Sequence, residues 1–304
     1  MKVFITGASG YIGGSIAAKL IAGGHQVIGL VRSEDKAARL KAAGIEPVLG
    51  ALADSAVVKA AAVRVDAVIN AANSDESLVV GALLEALAGS GKALIHTSGS
   101  SVGADRAVGE YSDLVYNEDT PFEPMPERLQ RVALERAILS AVHRKVRSIV
   151  IRPTLIYGRG HGLNPNSVQL PQLIDVARKH GGARHVGRGL NVWSHVHIDD
   201  VVDFYLLALE KAPASSVFYL ENGEASWKDM ASAIGMILGF GPATKDWPVD
   251  EAVRALGIGA ITSFGSNSRV RADKARMMLG WKPKGRPLMD EIANGCYAAD
   301  AARA

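Results

Sequence analysis

A chain of 304 residues, 48% hydrophobic and 21% charged, reads as a globular protein of one large domain or a domain and a half. Its 34 basic and 31 acidic residues balance to +3 and are spread without a basic block or interleaved aromatics, which disfavours nucleic acid as a partner. The single cysteine, Cys296, excludes an internal disulfide and a cysteine metal cluster.

Val3, Phe4 and Ile5 form a short strand that runs through Thr6 into glycines at positions 7, 10 and 13, and then into a helix with Ile12, Ile16 and Leu20 on one face. One glycine turns the chain out of the strand, one lets a pyrophosphate approach the backbone, and one lets the helix close on the sheet. Free N–H groups at the helix start suit phosphates. Gly7, Ser9, Gly10, Tyr11, Ile12 and Gly13 are therefore candidate contacts of a dinucleotide.

Gly23-Gly24 ends this helix, and Gln26 to Val31 follows as a strand apolar on both faces, as in a buried parallel sheet. Ser33 caps a helix that stops at Gly44, Pro47 to Leu49 is a third strand, and Asp54 caps another helix. Asp66 to Ala72 makes a fourth strand, 77–88 a helix, and Lys92 to Thr97 a fifth strand. The alternation predicts an α/β fold with a doubly wound parallel sheet and right-handed crossovers. Gly99 to Pro126 reads as a loop over one sheet edge, and Glu127 to His143 as a helix with Leu129, Val132, Ala133 and Arg136 spaced along it. Ser148 to Ile151 is a sixth strand ending in Arg152-Pro153.

Beyond it the alternation dissolves into a helix near 167–179, a loop holding Trp193, a helix at 199–210, a strand at 217–220 and a last helix near 288–299. The expected division is a dinucleotide-binding domain over 1–160 and, over 161–304, a mostly smaller substrate lobe with some segments returning to the sheet. The ligand is expected in the cleft at the carboxyl ends of the strands. The apolar runs are shorter than the roughly 18 residues of a membrane span, and three apolar residues before Thr6 are too few for a signal peptide, so a cytoplasmic location is expected.

The second strand ends Val31-Arg32-Ser33, where an NAD site of this build carries a carboxylate for the ribose hydroxyls. A guanidinium there suits a 2′-phosphate, so NADP(H) is expected over NAD(H), with Arg32 and Ser33 as contacts.

These features resemble the extended short-chain dehydrogenase/reductases, also called the NAD-dependent epimerase/dehydratase family, which have a Rossmann fold. Thr6 to Gly13 is similar to the family's TGxxGxxG, Gly50 to Asp54 to its adenine-side GDLxD with Ala51 in place of the first Asp, and Asn70-Ala71-Ala72 to its fourth-strand end. Arg152-Pro153 through Tyr157-Gly158 resembles RPxxxYG, His197 to Val201 resembles HVDDV, and Leu279 to Pro283 resembles LGWxP. The resemblance implies cofactor contacts at Leu52, Ala71, Ala72, Thr97, Arg131, Pro153 and Leu155, and a homodimer built on the helices near 77–88 and 127–143.

The family's catalytic Tyr-x-x-x-Lys pair is absent, because none of the seven tyrosines has lysine four residues on. Aligning Ala133-Leu134-Glu135-Arg136 with the family's helix puts Glu127 in the tyrosine's place and Arg131 in the lysine's. Glu127 can act as acid or base only if burial raises its pKa. Arg131 retains the capacity to hold the nicotinamide ribose.

Ser98 and then Ser100 are the hydroxyls in register to position a carbonyl. Tyr116, Trp193 and His195 are candidate substrate contacts, and His197, Asp199 and Asp200 read as a helix entry rather than a metal site. The resemblance implies an oxidoreductase moving hydride to a small carbonyl. The alternatives are a sugar-nucleotide epimerase or dehydratase, or an NADP-binding sensor without catalysis.

Overall fold

The computed structural model describes residues 1–302. In chain order its strands are β1 (Lys2–Thr6), β2 (Gln26–Val31), β3 (Glu46–Leu49), β4 (Ala67–Asn70), β5 (Ala93–Thr97), β6 (Arg147–Pro153), β7 (Leu155–Tyr157), β8 (Arg184–Val186), β9 (Val192–His197), β10 (Ser216–Leu220), β11 (Glu224–Ser226) and β12 (Lys245–Trp247). Seven of them form one parallel sheet in the order β10-β6-β5-β4-β1-β2-β3. The order reverses between β1 and β4, which opens a crevice at their carboxyl ends where a ligand can enter.

The helices that cover the sheet are α1 (Tyr11–Ala22), α2 (Glu34–Ala42), α3 (Ser55–Ala62), α4 (Ser77–Leu87), α5 (Leu129–Ser140) and α7 (Ile198–Lys211), while α6 (Gln169–His180) packs in the later part of the chain. Period-two alternation divides the strands between two cores. Val3, Ile5, Ile69, Ile95 and Ile151 pack with Ile16 and Leu20 of α1 and Phe204 of α7. Phe4, Ile28, Val68, Leu94 and Val150 pack with Val58, Leu83 and Ile138 of α3, α4 and α5. A third core begins at Leu155 and gathers Trp193, Trp227, Trp247 and Phe264 from the later part of the chain. Ser33 and Asp54 cap α2 and α3 by accepting from Lys36 N and Val57 N, at the positions where the sequence places them.

Three readings change. Trp193 stands in β9, between β7 and β11 of a separate three-stranded sheet, and not in a loop. The segment 99–126 is a loop in part only: it contains a short 3-10 turn at Ser100–Gly103, and Tyr116 makes a parallel bridge to Val270. The buried stripe of α5 is Val132, Glu135 and Ile138, whereas Leu129, Ala133 and Arg136 are exposed.

A carboxylate occupies the middle of that stripe because Arg152 of β6 meets it there. Arg152 Nε donates to both Glu135 oxygens at 3.2 Å, and Nη2 donates to Oε2 at 2.5 Å. Nη1 completes the set by donating to the Tyr219 hydroxyl at 3.1 Å, and the guanidinium also lies against the Phe122 and Tyr219 rings. Glu135 is 1% exposed and Arg152 8%. Removing one member of such a pair strands the other charge in the interior. Glu135→Gln is expected to cost about 3–5 kcal/mol in stability, read from urea unfolding midpoints at constant m-value. A loss under about 1 kcal/mol contradicts the pairing.

Candidate active site

The glycine turn is held from both sides by backbone. Gly7 has φ +79°, and a Cβ there would stand 2.6 Å from the carbonyl oxygen of Ala71, just past β4. A Cβ on Gly13 would stand 2.4 Å from the Gly7 carbonyl oxygen, so α1 closes on the turn without side chains between them. Gly10 N donates to Gly7 O at 2.8 Å and leaves the start of α1 with no side-chain cap. The first-turn N–H groups therefore face the crevice as an anion site.

On one side of the turn a cavity of about 510 Å³ is bounded by Gly7, Ser9, Arg32, Lys36, Leu52 and Ala72. Among the described residues no carboxylate pairs with Arg32 or Lys36, and both are exposed. Lys36, one turn into α2, is a cation the sequence reading missed. Its signal was the helix phase: three residues beyond Ser33, it faces the same way as the cap. Ser33 itself is engaged as that cap.

At the other end, a cavity of about 210 Å³ is lined by Ile12, Ser98, Ser100, Arg131, Pro153 and Trp193, among others. The Ser98 hydroxyl is buried and has no partner, while Ser98 N donates to Ile151 O at 2.8 Å. Ser100 Oγ is occupied by Ser268 Oγ at 2.8 Å. Arg131 is braced by Asp75, with Nε donating to Oδ1 at 2.9 Å and Nη2 to Oδ2 at 2.6 Å, and its Nη1 reaches Ser101 Oγ at 3.4 Å. That fork holds the Asp75 carboxyl below the usual carboxylate range. Trp193 is fixed by donating from Nε1 to Ser266 O at 2.8 Å.

Several expected residues lie elsewhere. Glu127 is exposed in a 3-10 turn ahead of α5 and takes a hydrogen bond from Arg106, which holds its carboxyl low. It lacks the burial that an acid or base role requires. The Thr97 hydroxyl turns into the core against Tyr205, at 2.7 Å. Leu155 is fully buried in the third core. Tyr116 packs edge-on against Phe122 beside the bridge to Val270. His195 points away from the cavity toward Gly223, with its ring edge-on to Tyr157. Ala71 contributes its carbonyl to the turn rather than a cavity wall. Tyr11 donates its hydroxyl to Gly158 O at 2.8 Å, tying α1 to the segment after β7. His197 caps α7 by accepting from Asp199 N, and both Asp200 oxygens accept from the Lys284–Gly285 backbone.

The sequence profile of the NAD dependent epimerase/dehydratase family matches residues 3–219. This chain belongs to that family. A relative from Schizosaccharomyces pombe is 32% identical over 98% of this chain and 100% of its own length, and is described as uncharacterized. A relative from Stigmatella aurantiaca is 28% identical over 73% of this chain and 69% of its own, and is named 4-hydroxy-2-methyl-3-oxo-4-farnesyl-3,4-dihydroquinoline-1-oxide ketoreductase. Among solved structures, UDP-glucose 4-epimerase from Thermotoga maritima superposes with a TM-score of 0.76, at 19% identity and full coverage of both chains. The family resemblance seen in the motifs therefore holds, and so does the Rossmann-type sheet. Among the described residues no helix is long and apolar enough to cross a membrane.

Beneath the family's glycine turn runs a buried polar row across three neighbouring strands. Thr6 Oγ1 donates to Asn70 Oδ1 at 2.5 Å, which directs the Asn70 amide nitrogen to His96 Nδ1 at 3.0 Å. His96 is thus held neutral as its Nε2–H tautomer, and burial, with Arg131 nearby, lowers its pKa from 6.5 to about 4. The unfolded chain binds this proton more readily than the folded one, so the contribution is intact above pH 6.5 and is lost as pH falls through 4. The loss is on the order of 3 kcal/mol. Urea unfolding between pH 6.5 and 4.5 is expected to show stability falling with acidification, with a shallower slope in His96→Gln. Equal slopes in both proteins refute the assignment.

Proposed function

We propose that this chain is an NADP(H)-dependent oxidoreductase that moves hydride between nicotinamide C4 and a small carbonyl or alcohol. The observation that carries the reading is the unpartnered Ser98 hydroxyl beside the braced Arg131 guanidinium, in a cavity floored by Ile12 and Pro153. Family membership and the relative named as a ketoreductase support a redox reaction. The cavity of about 210 Å³ favours a small substrate, because pockets for larger ligands run to about 300–1,000 Å³.

The residues present fit the cofactor. Glycines that exclude any Cβ admit a pyrophosphate to the uncapped start of α1, and Arg32 with Lys36 suits a 2′-phosphate. When bound, NADPH supplies the hydride. Ser98 donates a hydrogen bond to the carbonyl oxygen and orients it. Arg131, kept in place by Asp75, provides fixed positive charge where negative charge grows on that oxygen. Ser98 passes its proton to the alkoxide and takes one back from water, so the missing tyrosine is replaced by a hydroxyl relay. Glu127 has no part in it.

Arg32→Ala is expected to weaken NADPH binding roughly 10- to 150-fold, the worth of one charge-assisted hydrogen bond, and to leave NADH within about twofold. Titration of intrinsic fluorescence with each coenzyme checks this, and equal losses overturn the NADP assignment. A carbonyl panel followed at the nicotinamide absorbance tests the activity. On any substrate reduced, Ser98→Ala should lower kcat about 10²- to 10³-fold with NADPH affinity unchanged, and a retained kcat removes Ser98 from the mechanism.

A further inference from the structure

We infer that the carbonyl substrate carries a carboxylate, and that Arg128 is the residue that binds it. The inference rests on the oxidoreductase reading above and names the substrate class for the same cavity. Arg128 lines that cavity together with Ser98, Arg131, Trp193 and Ser263. Its guanidinium makes one hydrogen bond, from Nη2 to Thr262 Oγ1 at 3.2 Å, and its Nε is buried without a partner.

The neighbouring carboxylates are already engaged. Both oxygens of Asp75 are taken by Arg131, and Glu127 is turned outward onto Arg106. Among the described residues Arg128 forms no ion pair, although Arg131 and Arg106 do, with Asp75 and Glu127. Burial, with the like charge of Arg131, presses its pKa downward against the opposing pull of Asp75 and Glu127. A cation half-withdrawn from water is costly unless something anionic completes it, and a planar guanidinium matches a carboxylate through two parallel hydrogen bonds. Ser98 and Arg128 share one small cavity, so only a few bonds can separate the carbonyl from the carboxylate. A short oxo acid meets both demands.

The test uses the purified full chain with NADP⁺ and three pairs of probes: pyruvate, acetoacetate and levulinate, each against its methyl ester. Calorimetric titration should show at least one acid binding tenfold or more tightly than its ester. Arg128→Gln should then erase that advantage by weakening the acid roughly 10- to 150-fold, with the affinity for NADP⁺ unchanged as evidence of folding. Arg128→Lys, which keeps the charge and loses the fork, should retain part of the preference. Acids and esters binding alike, or neither binding, overturns the proposal, and so does an Arg128→Gln change that weakens both forms equally. Acid preference without turnover of any carbonyl by NADPH sinks the oxidoreductase reading and leaves this one standing. Turnover without acid preference does the reverse.

Discussion

The fold of the site depends on one steric constraint: three stretches of backbone cross with no space for a Cβ. The carbonyl of Ala71 presses on Gly7, and the carbonyl of Gly7 presses on Gly13. Backbone conformation and proximity are demanded together at Gly7, where φ is +79°, so an alanine there meets both a strained conformation and a clash. Because β1 and β4 are neighbours and their order reverses at this point, the turn is the floor of the crevice. The start of α1 is thereby aimed across the carboxyl ends of the strands. The same contact keeps side chains away from the place where phosphates must come closest.

The helix that follows the long loop shows how charge is apportioned around that floor. Glu127, Arg131 and Glu135 are four apart, and each has a different opposite charge: Arg106, Asp75 and Arg152. Exposure falls along the series, from Glu127 at the surface to Glu135 in the core. The energetic weight rises accordingly, since exposed pairs contribute little and a buried one cannot lose a member cheaply. Glu127 and Arg131 stand where alignment with the family puts its tyrosine and lysine, and with Glu135 they carry paired charges at three depths. Arg131 lines the cavity that holds Ser98 while Asp75 braces its guanidinium.

How much of this could be read from the residues alone follows from what each feature depends on. Strands of the sheet, the glycine turn and the caps at Ser33 and Asp54 are local, set by periodicity and by hydroxyl or carboxylate groups next to their own backbone. They were legible. The buried stripe of α5 was not, because a glutamate reads as surface until Arg152, seventeen residues on and in another element, is seen beside it. Trp193 read as loop because β9 lies outside the main sheet, where alternation with helices no longer guides the eye. Thr97 ends β5 as expected, but strand alternation turns its hydroxyl into the core against Tyr205. Lys36 lies three residues beyond Ser33 and Arg128 directly after Glu127, and only helix or turn phase joins them to the cavities.

Loss of the tyrosine changes what the site must achieve. A phenol with a lowered pKa gives up its proton readily, whereas an aliphatic hydroxyl is about as weak an acid as the alcohol formed by protonating the alkoxide. The difference has to be made electrostatically. A guanidinium never surrenders its charge at working pH, so in the proposed reaction Arg131 acts on the growing alkoxide throughout rather than at one protonation state. Fixed charge of this kind is effective where water is excluded and weak in bulk water. In the proposed reaction Trp193, Ile12 and Pro153, which line the same cavity as Ser98, therefore serve the chemistry as well as the packing. There, a permanent cation lining the same cavity as an unpartnered hydroxyl takes over the work of the missing pair, with water returning the proton.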